Sequence, residues 1–113
     1  MHAYKVFDDC RVEELGLVTK NLVPVLIDSA EDSLSQRCFG IGICRSESDF
    51  VEVHPVGRSD YLIWSDRLSP LSWYRRVFGK SRIDKVVHGH ARAVEAVWFY
   101  MDHSREAFER KYG

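Results

Sequence analysis

The sequence predicts an α+β domain, in which a small antiparallel sheet of three to four strands packs against a long C-terminal helix and one or two shorter helices. Two observations predict this class. In the middle of the chain, apolar and polar residues alternate with a period of two, which is typical of short strands. Near the C-terminus, apolar residues recur every three to four positions, which is typical of one face of a helix. A chain of 113 residues is expected to form a single domain over residues 1–113.

The first third of the chain is predicted to contain one helix and one strand. Residues 3–7 are expected to start the chain in an extended conformation. Apolar residues recur at helical spacing over residues 9–22, which predicts a helix there. Pro24 disfavours helical backbone at the residue before it, and the apolar residues 25–27 are predicted to form a strand. Residues 28–37 are polar and predict a loop or a single helical turn.

The middle of the chain is predicted to form the sheet. Strands are expected at residues 38–44, 50–54 and 61–64, with short polar connections between them. Consecutive strands joined in this way favour an antiparallel meander. Gly40 and Gly42 fall on the same face of the first of these strands, which predicts that another backbone or a helix approaches closely there.

The C-terminal third is predicted to be helical. A short helix is expected over residues 70–78, where a Ser-Pro pair precedes the apolar stripe and a glycine follows it. Ser81 and Asp84 form a capping box that predicts the start of a long terminal helix, although Gly89 leaves open a start near His90. The apolar stripe of this terminal helix contains Ile83, Val87, Ala91, Val94, Val97, Trp98, Met101, Phe108 and Tyr112.

The composition is that of an ordinary globular protein. Apolar residues make up 45% and charged residues 29% of the chain, which argues against disorder. No apolar run reaches the length of a membrane span, and Asp8 and Asp9 interrupt any signal-peptide pattern, so a cytoplasmic location is expected. The three cysteines include no C-x-x-C pair, which argues against a disulfide framework and a structural zinc site.

The net charge of −1 hides an uneven distribution along the chain. Residues 1–57 contain five basic and ten acidic residues, whereas residues 58–113 contain eleven basic and seven acidic ones. This difference predicts a dipolar surface, and such surfaces steer charged partners.

No pattern of catalytic or metal-ligating residues is found in the sequence. His88 and His90 are expected at a helix start, where side chains two positions apart diverge by roughly 200° and cannot share a metal ion. There is no G-x-S-x-G motif and no glycine-rich phosphate loop. The sequence therefore predicts a protein that is not an enzyme and that carries neither a metal nor a cofactor.

The predicted function is non-catalytic binding, in its most specific form as an inhibitor or immunity-type protein that neutralises a partner toxin or enzyme through charged loops. In size and charge the chain resembles the small immunity proteins that protect bacteria from their own delivered toxins, and no sequence motif accompanies this resemblance. The expected partner is another protein rather than a nucleic acid or a membrane, and the chain itself is expected to be a monomer or a homodimer. The predicted partner-binding residues are the acidic Asp28, Glu31, Asp32, Glu47 and Asp49, the aromatic Tyr61, Trp64 and Trp73, and the basic Arg75 and Arg76.

Two alternatives stay open. Residues 73–85 interleave aromatic and basic side chains, which is the pattern of a nucleic-acid-binding regulator. A small enzyme or enzyme subunit would need a polar pocket, for which His54, Asp60 and Tyr61 flank one turn.

Overall fold

The computed structural model describes residues 1–7, 11–32, 38–46, 49–57, 59–65 and 83–113. The α+β class is confirmed, but the described part of the chain contains a six-stranded antiparallel sheet rather than one of three to four strands. The strands are β1 (His2–Phe7), β2 (Val12–Leu17), β3 (Cys38–Ser46), β4 (Asp49–Gly57), β5 (Asp60–Ser65) and β6 (Ile83–His88). The helices are α1 (Val23–Asp32), which follows a 3-10 turn at Lys20–Leu22, α2 (His90–Asp102) and α3 (Arg105–Tyr112).

The sheet has the strand order β2-β1-β3-β4-β5-β6, and every neighbouring pair is antiparallel. The central meander of β3, β4 and β5 confirms the three strands expected from the alternating pattern. The extended N-terminal segment is also confirmed, since it forms β1 between β2 and β3. One row of directly paired residues crosses all six strands and therefore shares one face of the sheet: Glu14, Tyr4, Gly42, Glu52, Trp64 and Asp84.

The hydrophobic core lies between the helices and the opposite face of the sheet. Ile63 of β5 and Ile83 of β6 are fully buried there, as are Tyr100 of α2 and Phe108 of α3. The strand residues of this face that enter the core are Ala3, Ile43, Val51, Val53, Tyr61, Ile63 and Ile83. Alternation along each strand thus separates an apolar, helix-covered face from a face of mixed polarity.

The C-terminal helix is confirmed from His90 onwards, and it is interrupted once. Its buried stripe in α2 includes Val94, Val97 and Tyr100. The helix ends at Asp102, and Ser104 begins α3 by accepting a 3.2 Å hydrogen bond at its side-chain Oγ from the backbone N–H of Ala107. The terminal segment is therefore two helices joined by a capped break rather than one rod.

Three local predictions were wrong, and each concerns a short segment whose apolar spacing fits either structure. Residues 12–17 form the edge strand β2 instead of a helix, because β1 supplies their hydrogen-bonding partners. Residues 23–32 form α1, whereas residues 25–27 were predicted to form a strand and residues 28–37 a loop or a single helical turn. Pro24 lies in the first turn of α1, where its missing N–H costs nothing. Residues 83–88 form β6 instead of the start of the terminal helix.

The short helix expected over residues 70–78 lies outside the described residues, as does Ser81 of the expected capping box. None of the described helices is both long enough and apolar enough to cross a membrane. The cytoplasmic location stays a prediction.

Candidate functional site

The face of the sheet opposite the core, which the described helices leave uncovered, is named the open face, and it contains a hollow. The volume of the hollow is about 450 Å³, which is within the range of small-ligand sites. Its floor and walls come from strands β1 to β5. The lining residues are Tyr4, Val12, Glu14, Cys44, Ser46, Phe50, Glu52 and Trp64.

Gly42 leaves space for the Tyr4 ring on the floor of the hollow. It pairs with Tyr4 on one side and Glu52 on the other. A Cβ atom at position 42 would lie only 2.0 Å from Cζ of Tyr4, so the phenol ring occupies the space above the glycine. The ring thereby crosses β3, and its hydroxyl donates a 2.8 Å hydrogen bond to Oε2 of Glu52.

His54 holds the same carboxylate from its other side. Its Nε2 lies 2.9 Å from Oε1 of Glu52, and only 6% of the His54 side chain and 13% of the Glu52 side chain are exposed. A Cβ atom at Gly40 would lie 2.5 Å from Nδ1 of His54 and 2.7 Å from the carbonyl oxygen of Val53. Both glycines are closely approached, but not by the backbone or helix that was predicted at Gly42, where the Tyr4 ring makes the contact. At Gly40 the His54 ring and the Val53 carbonyl oxygen are the nearest groups. Glu52 is consequently fixed in position by two neighbours.

The Tyr4 hydroxyl and the Cys44 thiol, which both line the hollow, hold their protons more strongly than usual. Burial, followed by the charge of Glu52 and the hydrogen bond to it, raises the pKa of Tyr4 above its ordinary value of 10.0. Burial, together with the charge of Glu14, raises the pKa of Cys44 above its ordinary value of 9.0. Both groups are therefore neutral near pH 7, and Cys44 is a poor nucleophile there.

Among the described residues, the charged side chains of the lining are all acidic. Glu14 and Glu52 are its two carboxylates, and neither lysine nor arginine is among the described residues that line it. The rings of Phe50 and Trp64 lie with their centroids 5.3 Å apart and planes inclined by 44°. Aromatic faces beside carboxylates form an environment that attracts cations.

The acidic residues predicted to bind a partner do not gather at this hollow. Asp28 lies on α1, on the opposite side of the sheet, where its carboxylate is 3.0 Å from Nε2 of His90. Glu31 and Asp32 belong to the last turn of α1, and their side chains lie outside the description, as does all of Glu47.

Asp49 is engaged within the protein. Its side chain accepts a 3.0 Å hydrogen bond from the Tyr100 hydroxyl and lies 3.5 Å from the guanidinium groups of Arg45 and Arg105. Arg105 is 5% exposed and also donates to Ser65, to the carbonyl oxygen of Phe50 and to Glu109. This buried network fastens the start of α3 to β4 and β5, and no sequence pattern predicted it.

The aromatic and basic predictions are also separated. Trp64 is half-buried and lines the hollow, whereas Tyr61 is buried in the core on the other face of the sheet. Trp73, Arg75 and Arg76 lie outside the described residues.

The three residues of the enzyme alternative do not meet in one site. His54 faces Glu52, Tyr61 faces the helices, and Asp60 lies 2.6 Å from Nδ1 of His88. Among the described residues there is no group of three or more His, Cys, Asp or Glu side chains that could hold a metal ion. The predicted partner-binding residues did not include Tyr4, Glu14 and Glu52, although the glycine pair marked the strand over which the Tyr4 and His54 rings lie.

No protein-family model matches this chain, and neither does any curated protein or any solved structure. A functional assignment therefore depends on the geometry of the site itself.

Proposed function

We propose that this chain is a non-catalytic binding protein of the inhibitor or immunity type, which neutralises a partner protein by covering a basic surface of it. The open face of the sheet is the binding surface in this proposal. The observation that carries it is the hollow, whose lining combines two carboxylates with three aromatic rings and has no described lysine or arginine.

Charge complementarity supports a basic partner surface. Proteins that act on phosphate-containing or other anionic substrates have positive clefts, and a negative surface can occupy such a cleft in place of the substrate. Opposite charge also accelerates association, which suits a protein that must intercept a harmful partner quickly. Binding is consequently expected to weaken as the salt concentration rises.

The state of the polar groups supports binding rather than catalysis. The raised pKa values of Tyr4 and Cys44 keep both groups protonated near neutral pH. Both oxygens of Glu52 already accept hydrogen-bonding contacts, from Tyr4 and His54. Such a fixed arrangement is pre-organised, and it gives affinity because little side-chain freedom is lost on binding.

The test compares matched variants in capture and inhibition. Glu14→Gln removes a charge from the hollow, whereas Glu13→Gln removes one from the neighbouring position, which does not line it. Immobilised wild type, E14Q, Trp64→Leu and E13Q are used to capture proteins from extracts of the source cells. Any protein whose capture depends on Glu14 and Trp64 is identified by mass spectrometry, purified, and assayed for activity with and without the chain.

The expected result is a protein that wild type and E13Q retain, that E14Q and W64L lose, and whose activity falls when the chain is added. Asp28→Lys serves as a second comparison, because it reverses the charge of a predicted partner-binding residue that lies on α1, on the other side of the sheet. Capture that D28K abolishes and E14Q leaves unchanged would move the binding surface to α1. Capture without any effect on the partner's activity would contradict an inhibitory role.

The nucleic-acid alternative has a separate test. Of the basic residues in segment 73–85, Lys85 on β6 is the one that lies within the described ranges. Titration of labelled duplex and single-stranded DNA into the chain at low salt is expected to show no saturable binding. Binding that falls steeply with salt would favour the alternative.

A further inference from the structure

We propose that the hollow on the open face receives the side chain of an arginine from the partner protein. This rests on the proposed function and names the group that the open face recognises.

Charge selects a cation. Glu14 on β2 and Glu52 on β4 belong to the same row, and the three strand spacings from β2 across β1 and β3 to β4 separate their backbones by roughly 14 Å. The hollow between them is therefore under the negative potential of both groups. A cation placed there is stabilised by two carboxylates and, among the described lining residues, meets no positive charge.

The aromatic rings give the cation a surface to stack on. The Tyr4 ring lies over Gly42, and Phe50 and Trp64, whose ring planes are inclined by 44°, also line the hollow. Phe50 is 7% exposed, so its ring is held rigidly and loses little freedom when a ligand binds. A cation over such faces gains from cation–π attraction, and the gain rises as water is excluded.

The shape and the hydration of the cation favour guanidinium over ammonium in this hollow. Guanidinium is planar and weakly hydrated, so it stacks on aromatic rings at a small desolvation cost, whereas ammonium is compact and strongly hydrated. Each oxygen of Glu52 has a second lone pair beyond the contact that it already makes with Tyr4 or His54. These lone pairs can accept hydrogen bonds from the N–H groups at the edge of a guanidinium plane. A volume of about 450 Å³ also admits the whole arginine side chain.

The experiment uses the chain alone and small probes. N-acetyl-L-arginine methylamide, the lysine analogue and the neutral, nearly isosteric citrulline analogue are titrated into ¹⁵N-labelled protein. The expected result is a saturable shift of the Gly42 amide and the Trp64 indole N–H with the arginine probe. Affinity is expected to be about fivefold or more lower for the lysine probe, and no saturation is expected for citrulline.

Variants locate the binding in the hollow. E14Q and W64L are expected to lower the affinity for the arginine probe by about fivefold, whereas E13Q is expected to leave that affinity unchanged. These positions carry the test because Glu14 is exposed and Trp64 is half-buried, whereas Glu52 also holds Tyr4 and His54. Equal shifts with citrulline, or equal affinity in E14Q and E13Q, would overturn the inference.

Two further outcomes separate this inference from the proposed function. In one outcome, E14Q and W64L no longer capture the partner, but the arginine probe neither binds to the chain nor competes with the partner. The proposed inhibitory function would then stand, and the assignment of an arginine side chain as the ligand would be wrong. If the double variant Arg75→Ala/Arg76→Ala binds the probe more tightly than wild type does, the basic segment of this chain competes for the hollow. That result would also overturn the assignment to a partner's arginine.

Discussion

The Tyr4 hydroxyl donates a 2.8 Å hydrogen bond to Oε2 of Glu52 across Gly42, and this bond links β1 to β4 over the strand between them. A side chain at position 42 would exclude the ring, so the glycine is a requirement of the contact. The floor of the candidate site therefore depends on three residues from three strands. This dependence makes the site testable through stability as well as through binding.

Substitution of Gly42 by alanine is expected to destabilise the fold by roughly 2–4 kcal/mol, because the new Cβ displaces the Tyr4 ring and breaks its hydrogen bond to a charged group. Urea denaturation measures the free energy of unfolding. Gly57→Ala is the matched control, since the nearest atom to its Cβ lies 3.9 Å away, and it is expected to change stability by less than about 0.5 kcal/mol.

The cause of the Gly42 effect can be tested by a double-mutant cycle. In a Tyr4→Ala background the ring is gone, so Gly42→Ala is expected to cost much less there than in wild type. An equal cost in both backgrounds would show that the ring is not the reason.

Replacement of Arg105 by methionine is expected to cost about 3–5 kcal/mol of unfolding free energy, because Asp49 and Glu109 lose a buried cationic partner. Lys20→Met is the control, since the salt bridge of Lys20 with Asp102 has 46% of each side chain exposed and is expected to contribute less than about 1 kcal/mol. Equal effects of the two substitutions would contradict a structural role for the buried network.

The tyrosines of the native protein are expected to ionise at higher pH than those of the unfolded chain. Burial, as the largest cause, raises the pKa of Tyr4, Tyr100 and Tyr112 above the ordinary value of 10.0. A pKa that is higher in the folded state stabilises the fold fully below pH 10, and this contribution is lost as the pH rises above 10 toward the raised values. Absorbance at 295 nm, with and without urea, measures the phenolate.

Two outcomes check the titration. The free energy of unfolding is expected to fall as the pH rises above 10, and Glu52→Gln is expected to lower the pKa of Tyr4, since the charge of Glu52 is one of the causes that raise it. Superimposable titrations in native and urea-unfolded protein would contradict the burial of these phenols.

Substitution of Ser104 by alanine is expected to cost about 1 kcal/mol, because the backbone N–H of Ala107 loses its side-chain acceptor at the start of α3. Ser104→Asp retains an acceptor and is expected to be close to wild type. Thermal unfolding followed by circular dichroism compares the two variants. Equal melting temperatures for S104A and S104D would show that the cap does not stabilise α3.

Elements with a local hydrophobic pattern could be predicted from the amino-acid sequence. Alternation in residues 38–44, 50–54 and 61–64 predicted the central meander, because a period of two can bury only one face of a strand. Helical spacing after His90 predicted the buried stripe of α2 for the same reason of one-sided burial. Gly40 and Gly42 also indicated a crowded strand face, although they did not indicate that the side chains of Tyr4 and His54 crowd it.

The conformation of the short segments depends on contacts with distant parts of the chain. Residues 12–17 and 83–88 became the edge strands β2 and β6 because neighbouring strands satisfied their backbone hydrogen bonds. Residues 23–32 became α1 because an amphipathic helix there covers the core face of the sheet. A short apolar run is compatible with either structure, and the partner that settles the choice is distant in sequence.

The candidate site likewise depended on distant pairing. Tyr4 and Glu52 are 48 positions apart, and their contact requires the register of two strand pairs together with a glycine between them. Of the ten residues predicted to bind a partner, Trp64 is the one that the described structure brings to the hollow. Charge and composition predicted a binding protein, whereas the location of the hollow followed from long-range hydrogen bonding that no local pattern records.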